Sequence, residues 1–71
     1  MIKNYYLNLD TSKNPNGNYE VHTSQCYYCP TINKVYLGAY DNGIQAVAEA
    51  KRRGYYKADG CCYCCPEAHR E

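Results

Sequence analysis

A chain of 71 residues with six cysteines, two histidines and ten tyrosines, but no phenylalanine or tryptophan, holds one small domain and excludes a second catalytic unit. Eight basic against seven acidic residues leave a formal charge of +1, too small a field to draw the chain nonspecifically to nucleic acid or an anionic membrane. Three Leu, three Ile and three Val make a thin core, whose burial roughly cancels the entropy of ordering so short a chain, so another source of cohesion is required.

The first ten residues contain no apolar run of signal-peptide length, and no later segment approaches a spanning helix. The expectation is a cytoplasmic protein without membrane attachment. Tyr5, Leu7 and Leu9 alternate with Tyr6, Asn8 and Asp10, which predicts a half-buried strand over residues 3–10. Residues 11–18 are dense in turn formers, with Asn16-Gly17 suited to positive φ, and predict a mobile loop. Tyr19, Val21 and Thr23 alternate against Glu20 and His22, so a second strand returns beside the first and delivers His22 and Cys26 at its exit.

Pro30 to Asn33 reads as a turn, followed by a third strand over 34–40 in which Gly38 marks a bulge or a close backbone approach. Asn42 and Gln45 form a helix-start signature, with Asp41 as the alternative cap. Residues 44–53 are strong helix formers that end in Lys51, Arg52 and Arg53, with Gly54 as the terminator. Ile44, Val47 and Ala48 supply the expected apolar stripe, with Ala46 and Ala50 beside it. The basic run is read as a solvated helix end. In the pairs Tyr5-Tyr6, Tyr27-Tyr28 and Tyr55-Tyr56, one ring of each is expected to face inward in place of the missing phenylalanine.

A reducing compartment makes six thiols in a short chain metal ligands rather than disulfides. Cys26 and Cys29 form one C-x2-C; Cys61 to Cys65 contain two overlapping ones, Cys61 with Cys64 or Cys62 with Cys65. Two separated pairs of this kind complete a tetrahedron around zinc. Pro66 lacks the N–H that could support the Cys62 and Cys65 register, so Cys61 with Cys64 is preferred. The first half leaves two choices, Cys26 with Cys29 or His22 with Cys26. One Zn2+ is expected, because a second tetrahedron built on Cys62, Cys65 and His69 lacks an evident fourth donor.

The order His22-x3-Cys26, strand 36–40, Ala-rich helix 46–50, Gly54-Tyr55 and Cys61-x2-Cys64 resembles the Ada metal-binding domain. It is also similar to Ada-like zinc modules appended to nucleases and to small bacterial proteins of unknown function. The likeness spans residues 19–69. It implies zinc ligands at His22, Cys26, Cys61 and Cys64. In the repair proteins the first donor is a cysteine that accepts a methyl group from a DNA phosphotriester; here that position holds His22, which cannot perform the transfer.

The sequence therefore predicts a single α+β domain over 1–71, with its core between residues 3 and 65 and a frayed tail at 66–71. A three-stranded antiparallel sheet carries one helix across it, and zinc joins the second strand to the segment after the helix. The expected role is that of a monomeric, non-enzymatic interaction module for a protein or peptide. The rivals are a DNA-directed Ada-type module, with nucleic acid the less favoured partner, and a disulfide-stapled domain.

Overall fold

A computed structural model describes residues 1–12 and 17–70. The elements are β1 (Lys3–Asn8), β2 (Tyr19–Thr23), β3 (Lys34–Tyr40), α1 (Gly43–Arg52) and β4 (Ala58–Gly60), followed by a 3-10 helix, Pro66–Ala68. They form an α+β domain in which one helix packs on a four-stranded sheet of order β3-β1-β2-β4. Strand β1 pairs antiparallel with both β2 and β3, as the alternation implied, whereas β4 runs parallel to β2. The expectation of a three-stranded antiparallel sheet is thus corrected to a mixed four-stranded one. Residues 13–16, within the stretch expected to be a mobile loop, lie outside the described residues.

Strand β4 has no sequence signal because it is only three residues, Ala58-Asp59-Gly60, all buried. Its pairing is extended at both ends, where the Tyr19 amide donates to the Lys57 carbonyl and the Cys61 amide to the Val21 carbonyl. Gly60 is required by space: a Cβ there would lie 2.7 Å from the Cys65 carbonyl oxygen and 2.8 Å from the Ala68 Cβ. The chain after α1 is therefore pressed against the end of the sheet.

Gly38 performs the role its position suggested. Tyr5 pairs with Gly38 and Tyr6 with Tyr36, so Leu37 is the extra residue of a bulge, and Gly38 takes φ 129°. The bulge turns Leu37 into the core, where it joins Tyr5, Leu7 and Val21 against Ala46, Val47 and Ala50 of the helix.

The helix begins where its caps direct. The Asn42 side chain accepts from the Gln45 amide, and the Gln45 side chain accepts from the Asp41 amide, one residue earlier than a capping box requires. Gly54, at φ 103°, ends it. The buried face, however, is Gly43, Ala46, Val47 and Ala50, so the expected stripe of Ile44, Val47 and Ala48 is corrected: Ile44 and Ala48 point to solvent. The physical reason is distance. A Cβ at Gly43 would lie 2.8 Å from Cys65 Cβ, so only the smallest side chains fit between helix and chain end.

At the other terminus Glu49 holds both Arg52 and Arg53, whose guanidinium groups lower its carboxyl to about 2. Arg53 also donates to the carbonyls of Tyr36 and Leu37. The basic run is thus only partly a solvated end. Among the described residues no helix is long and apolar enough to cross a membrane.

Two substitutions test this packing. Gly60→Ala is expected to cost about 1 to 3 kcal/mol, because the new methyl group meets backbone that has no slack. Asn42→Ala is expected to cost about 1 kcal/mol through loss of the cap. Thermal unfolding measured at fixed metal content checks both.

Candidate metal centre

Two short turns, more than thirty residues apart in sequence, meet beside β2. His22 is on β2 in register with Tyr6 of β1, whereas Tyr5 and Leu7, on the alternate face of β1, belong to the core under the helix. His22 therefore projects from the sheet face opposite α1. The chain then turns, with the Ser24 amide donating to the Asn4 carbonyl and the Cys26 amide to the Thr23 carbonyl, which brings Cys26 back beside His22. The second turn leaves β4, and the Cys65 amide closes it by donating to the Cys61 carbonyl at 2.8 Å. Parallel pairing of β4 with β2 is what places Cys61 next to the exit of β2.

The result is a group of four donors, His22, Cys26, Cys61 and Cys64, whose ligand atoms all lie within 4.8 Å of one another. The Cys26 and Cys61 sulfurs are 4.0 Å apart. A tetrahedral ion with metal–sulfur bonds of about 2.3 Å sets its sulfurs about 3.8 Å apart, so the spacing suits coordination with little movement. His22 is only 1% exposed, and neither of its ring nitrogens has a hydrogen-bond partner. A buried polar atom left unsatisfied costs about 1 to 3 kcal/mol, which a metal bond to the ring would remove. Glu20 Oε1 stands 3.5 Å from His22 Nε2. At that separation the carboxylate is an ionic neighbour of the ring rather than a hydrogen-bond partner.

The electrostatics of the thiols carry the same message. Burial pushes the Cys61 thiol up to about 12, against the amides of Cys64 and Tyr63, which favour its thiolate. Burial likewise raises Cys26, opposed by the Tyr28 amide. Cys64 is raised first by the Cys65 thiol 3.6 Å away and then by burial, opposed by His22 and the Thr23 amide.

The residues named from the sequence separate clearly. His22, Cys26, Cys61 and Cys64 come together, while Cys29 stands outside the group, half-buried, its pKa raised by burial against the opposing charge of Lys34. Cys62 is exposed, and Cys65 is buried in the hydrophobic core. His69 is engaged elsewhere, its Nδ1 lying 3.1 Å from Asp59 and 3.0 Å from the Gly60 carbonyl. All six cysteines are free thiols. Sequence reasoning missed the approach of Glu20 to His22; the only signal for it was the i, i+2 spacing, which puts both on one face of a strand.

The cluster is capable of coordinating a metal ion through one nitrogen and three sulfurs. Compared with protein families, curated proteins and solved structures, the chain matches none.

Titration with Co2+ is expected to give one ion per chain with the charge-transfer bands of three thiolates. His22→Ala, Cys26→Ser, Cys61→Ser and Cys64→Ser should each weaken binding at least tenfold, and Cys29→Ser and Cys62→Ser should leave it unchanged. The pH dependence has two opposite signs. In the metal-free fold the thiols stay protonated above their ordinary value of about 8.5, so stability falls as pH rises from there towards the raised values. Metal uptake displaces those protons, so affinity rises with pH, by about three protons per ion at neutral pH. Potentiometric titration during metal addition measures the number directly.

Proposed function

We propose that this protein is a non-enzymatic, zinc-stabilised interaction module for a protein or peptide, laid out like the His-x3-Cys…Cys-x2-Cys members of the Ada-like metal-binding group. The observation that carries this reading is the convergence of four soft donors from two distant turns around a buried, unpartnered imidazole. Zinc is the ion of choice for a closed set of three thiolates and one imidazole, and a closed set is the mark of a structural site. Four protein donors leave no open position for a reactive water.

Alkyl transfer is not part of the reading. The position that would carry the accepting thiolate holds His22, whose imidazole cannot take the thiolate's part. The near-neutral charge argues in the same direction, because tight DNA contact requires a basic face. Six free thiols suit a reducing compartment such as the cytoplasm.

Native mass spectrometry with and without chelator, combined with circular dichroism, tests the proposal. One zinc per chain is expected, with Cys29, Cys62 and Cys65 left as uncoordinated thiols, and loss of most secondary structure on chelation. A metal-free chain that keeps its fold and cooperative unfolding would overturn it. So would methylation of Cys26 on exposure to a DNA methylphosphotriester.

A further inference from the structure

Two groups of apolar side chains stay exposed. One is the aromatic stack at the metal turns, where Tyr28 lies on Tyr63 with ring centroids 4.7 Å apart. The expectation that one tyrosine of each pair faces inward holds for Tyr5-Tyr6, where Tyr5 is in the core, and fails for Tyr27-Tyr28, because those residues occupy a turn rather than a strand. The other group is on α1. Ile44, Val47, Ala48 and Lys51 follow the i, i+3, i+4, i+7 spacing of a single helix face. Of the three apolar residues in that stripe Val47 alone is buried, and Ile44 remains 50% exposed. An aliphatic stripe left outside the core, in a chain with so few aliphatic residues, points to a contact surface.

This helix face is one wall of an open groove of about 200 Å³, and the end of the chain, with Ala68 and Arg70, is the other. Apolar surface therefore runs from one wall to the other, and each wall ends in a cation. Both cations are available. Arg52 and Arg53 are held by Glu49, whereas neither the Lys51 ammonium nor the Arg70 guanidinium has an ion-pair or hydrogen-bond partner among the described residues. Asp59 also lines the groove, but it is buried, with one carboxylate oxygen accepting from the Arg70 amide at 2.8 Å and the other 3.1 Å from His69 Nδ1. Lys51 and Arg70 are exposed, so the charge offered to an incoming ligand is positive. An aliphatic floor between two unpaired cations selects a ligand with an apolar side chain and carboxylates beside it.

We infer that the groove between α1 and the chain end binds an acidic segment of a partner protein, with one aliphatic side chain of that segment against Ile44, Ala48 and Ala68 and its carboxylates on Lys51 and Arg70. A nucleic-acid backbone would meet the same two cations, but it has no aliphatic group for the floor, and the net charge of +1 supplies little of the field that such binding draws on. The inference rests on the reading of the domain as an interaction module and names the chemistry of its partner. The groove is separate from the donor cluster, so the two have separate readouts.

The test is titration of zinc-loaded, isotope-labelled protein with the peptide Gly-Asp-Glu-Leu-Asp-Glu-Gly, followed by amide chemical shifts. The controls are a version with serine in place of leucine, a version with lysine in place of every acid, and a thymidine hexanucleotide. The expected result is saturable shifts at Ile44, Ala48, Lys51, Ala68 and Arg70, weaker binding of the serine version and none of the lysine version. Lys51→Ala and Arg70→Ala should each reduce affinity about threefold, and Ile44→Ser about fivefold, while Lys57→Ala leaves it unchanged. Lys51, Arg70 and Lys57 are exposed and Ile44 is half exposed, so none of these variants threatens the fold. The inference is overturned by the absence of saturable shifts, by equal binding of the lysine version, by shifts centred on Tyr27, Tyr28 and Tyr63, or by tighter binding of the hexanucleotide in the groove. Native mass spectrometry of the same samples counts zinc: a chain that takes up none defeats the metal-stabilised module, whereas a zinc-loaded chain without shifts defeats the groove alone.

Discussion

The constraint on which the structure depends is the burial of His22 with neither ring nitrogen hydrogen-bonded. A strand that places an imidazole in a closed position must provide it with a partner, and three thiols gather around it, with the Glu20 carboxylate 3.5 Å from Nε2. Two of these thiols, Cys61 and Cys64, come from the segment that follows the helix in the chain, and they arrive because β4 runs parallel to β2 and leaves the sheet at the same end. The short parallel strand is thus less an addition to the sheet than the means by which the second half of the chain reaches the first.

This arrangement also explains how so small an apolar core suffices. Tyr5, Leu7, Val21 and Leu37 fill the space under the helix, and the other buried members of the cluster are Val47, alanines and Cys65. Small side chains give little transfer free energy each, but they let the helix, the 3-10 segment and the sheet approach closely, and the Gly43 amide reaches the Glu67 carboxylate at 2.7 Å. Close approach brings the backbone near Cys61 and Cys64 into register with β2. The cohesion of the core and the geometry of the donor cluster are therefore one problem with one solution.

Much of this was legible in the chain itself. The alternation of Tyr5 and Leu7, the turn residues before Tyr19, the Asn42 cap and Gly54 all act locally, so local patterns reveal them. What escaped was non-local. Residues 58–60 carry no pattern, because their strand exists only through its neighbour. Ile44 is the most apolar residue of the helix, yet it is half exposed, since the buried face is that of Gly43, Ala46, Val47 and Ala50, with Gly43 in tight approach to Cys65. Spacing alone left Cys29 and His22 as alternatives for the first half of the cluster. Only the position of His22 on a strand, opposite Tyr6, fixes which donor faces Cys61.

The bulge at Leu37 has a bearing on how the molecule meets its neighbours. Strand β3 is an outer strand, the kind of edge onto which a second chain can add by backbone pairing. Here the ladder is interrupted at Gly38, and the carbonyls of Tyr36 and Leu37 are already held by Arg53. A would-be extra strand finds a kinked template with two of its acceptors taken. The irregularity that seats Leu37 in the interior thereby guards a thiol-rich, tyrosine-rich polypeptide against edge-to-edge aggregation, leaving recognition to side chains rather than to main chain.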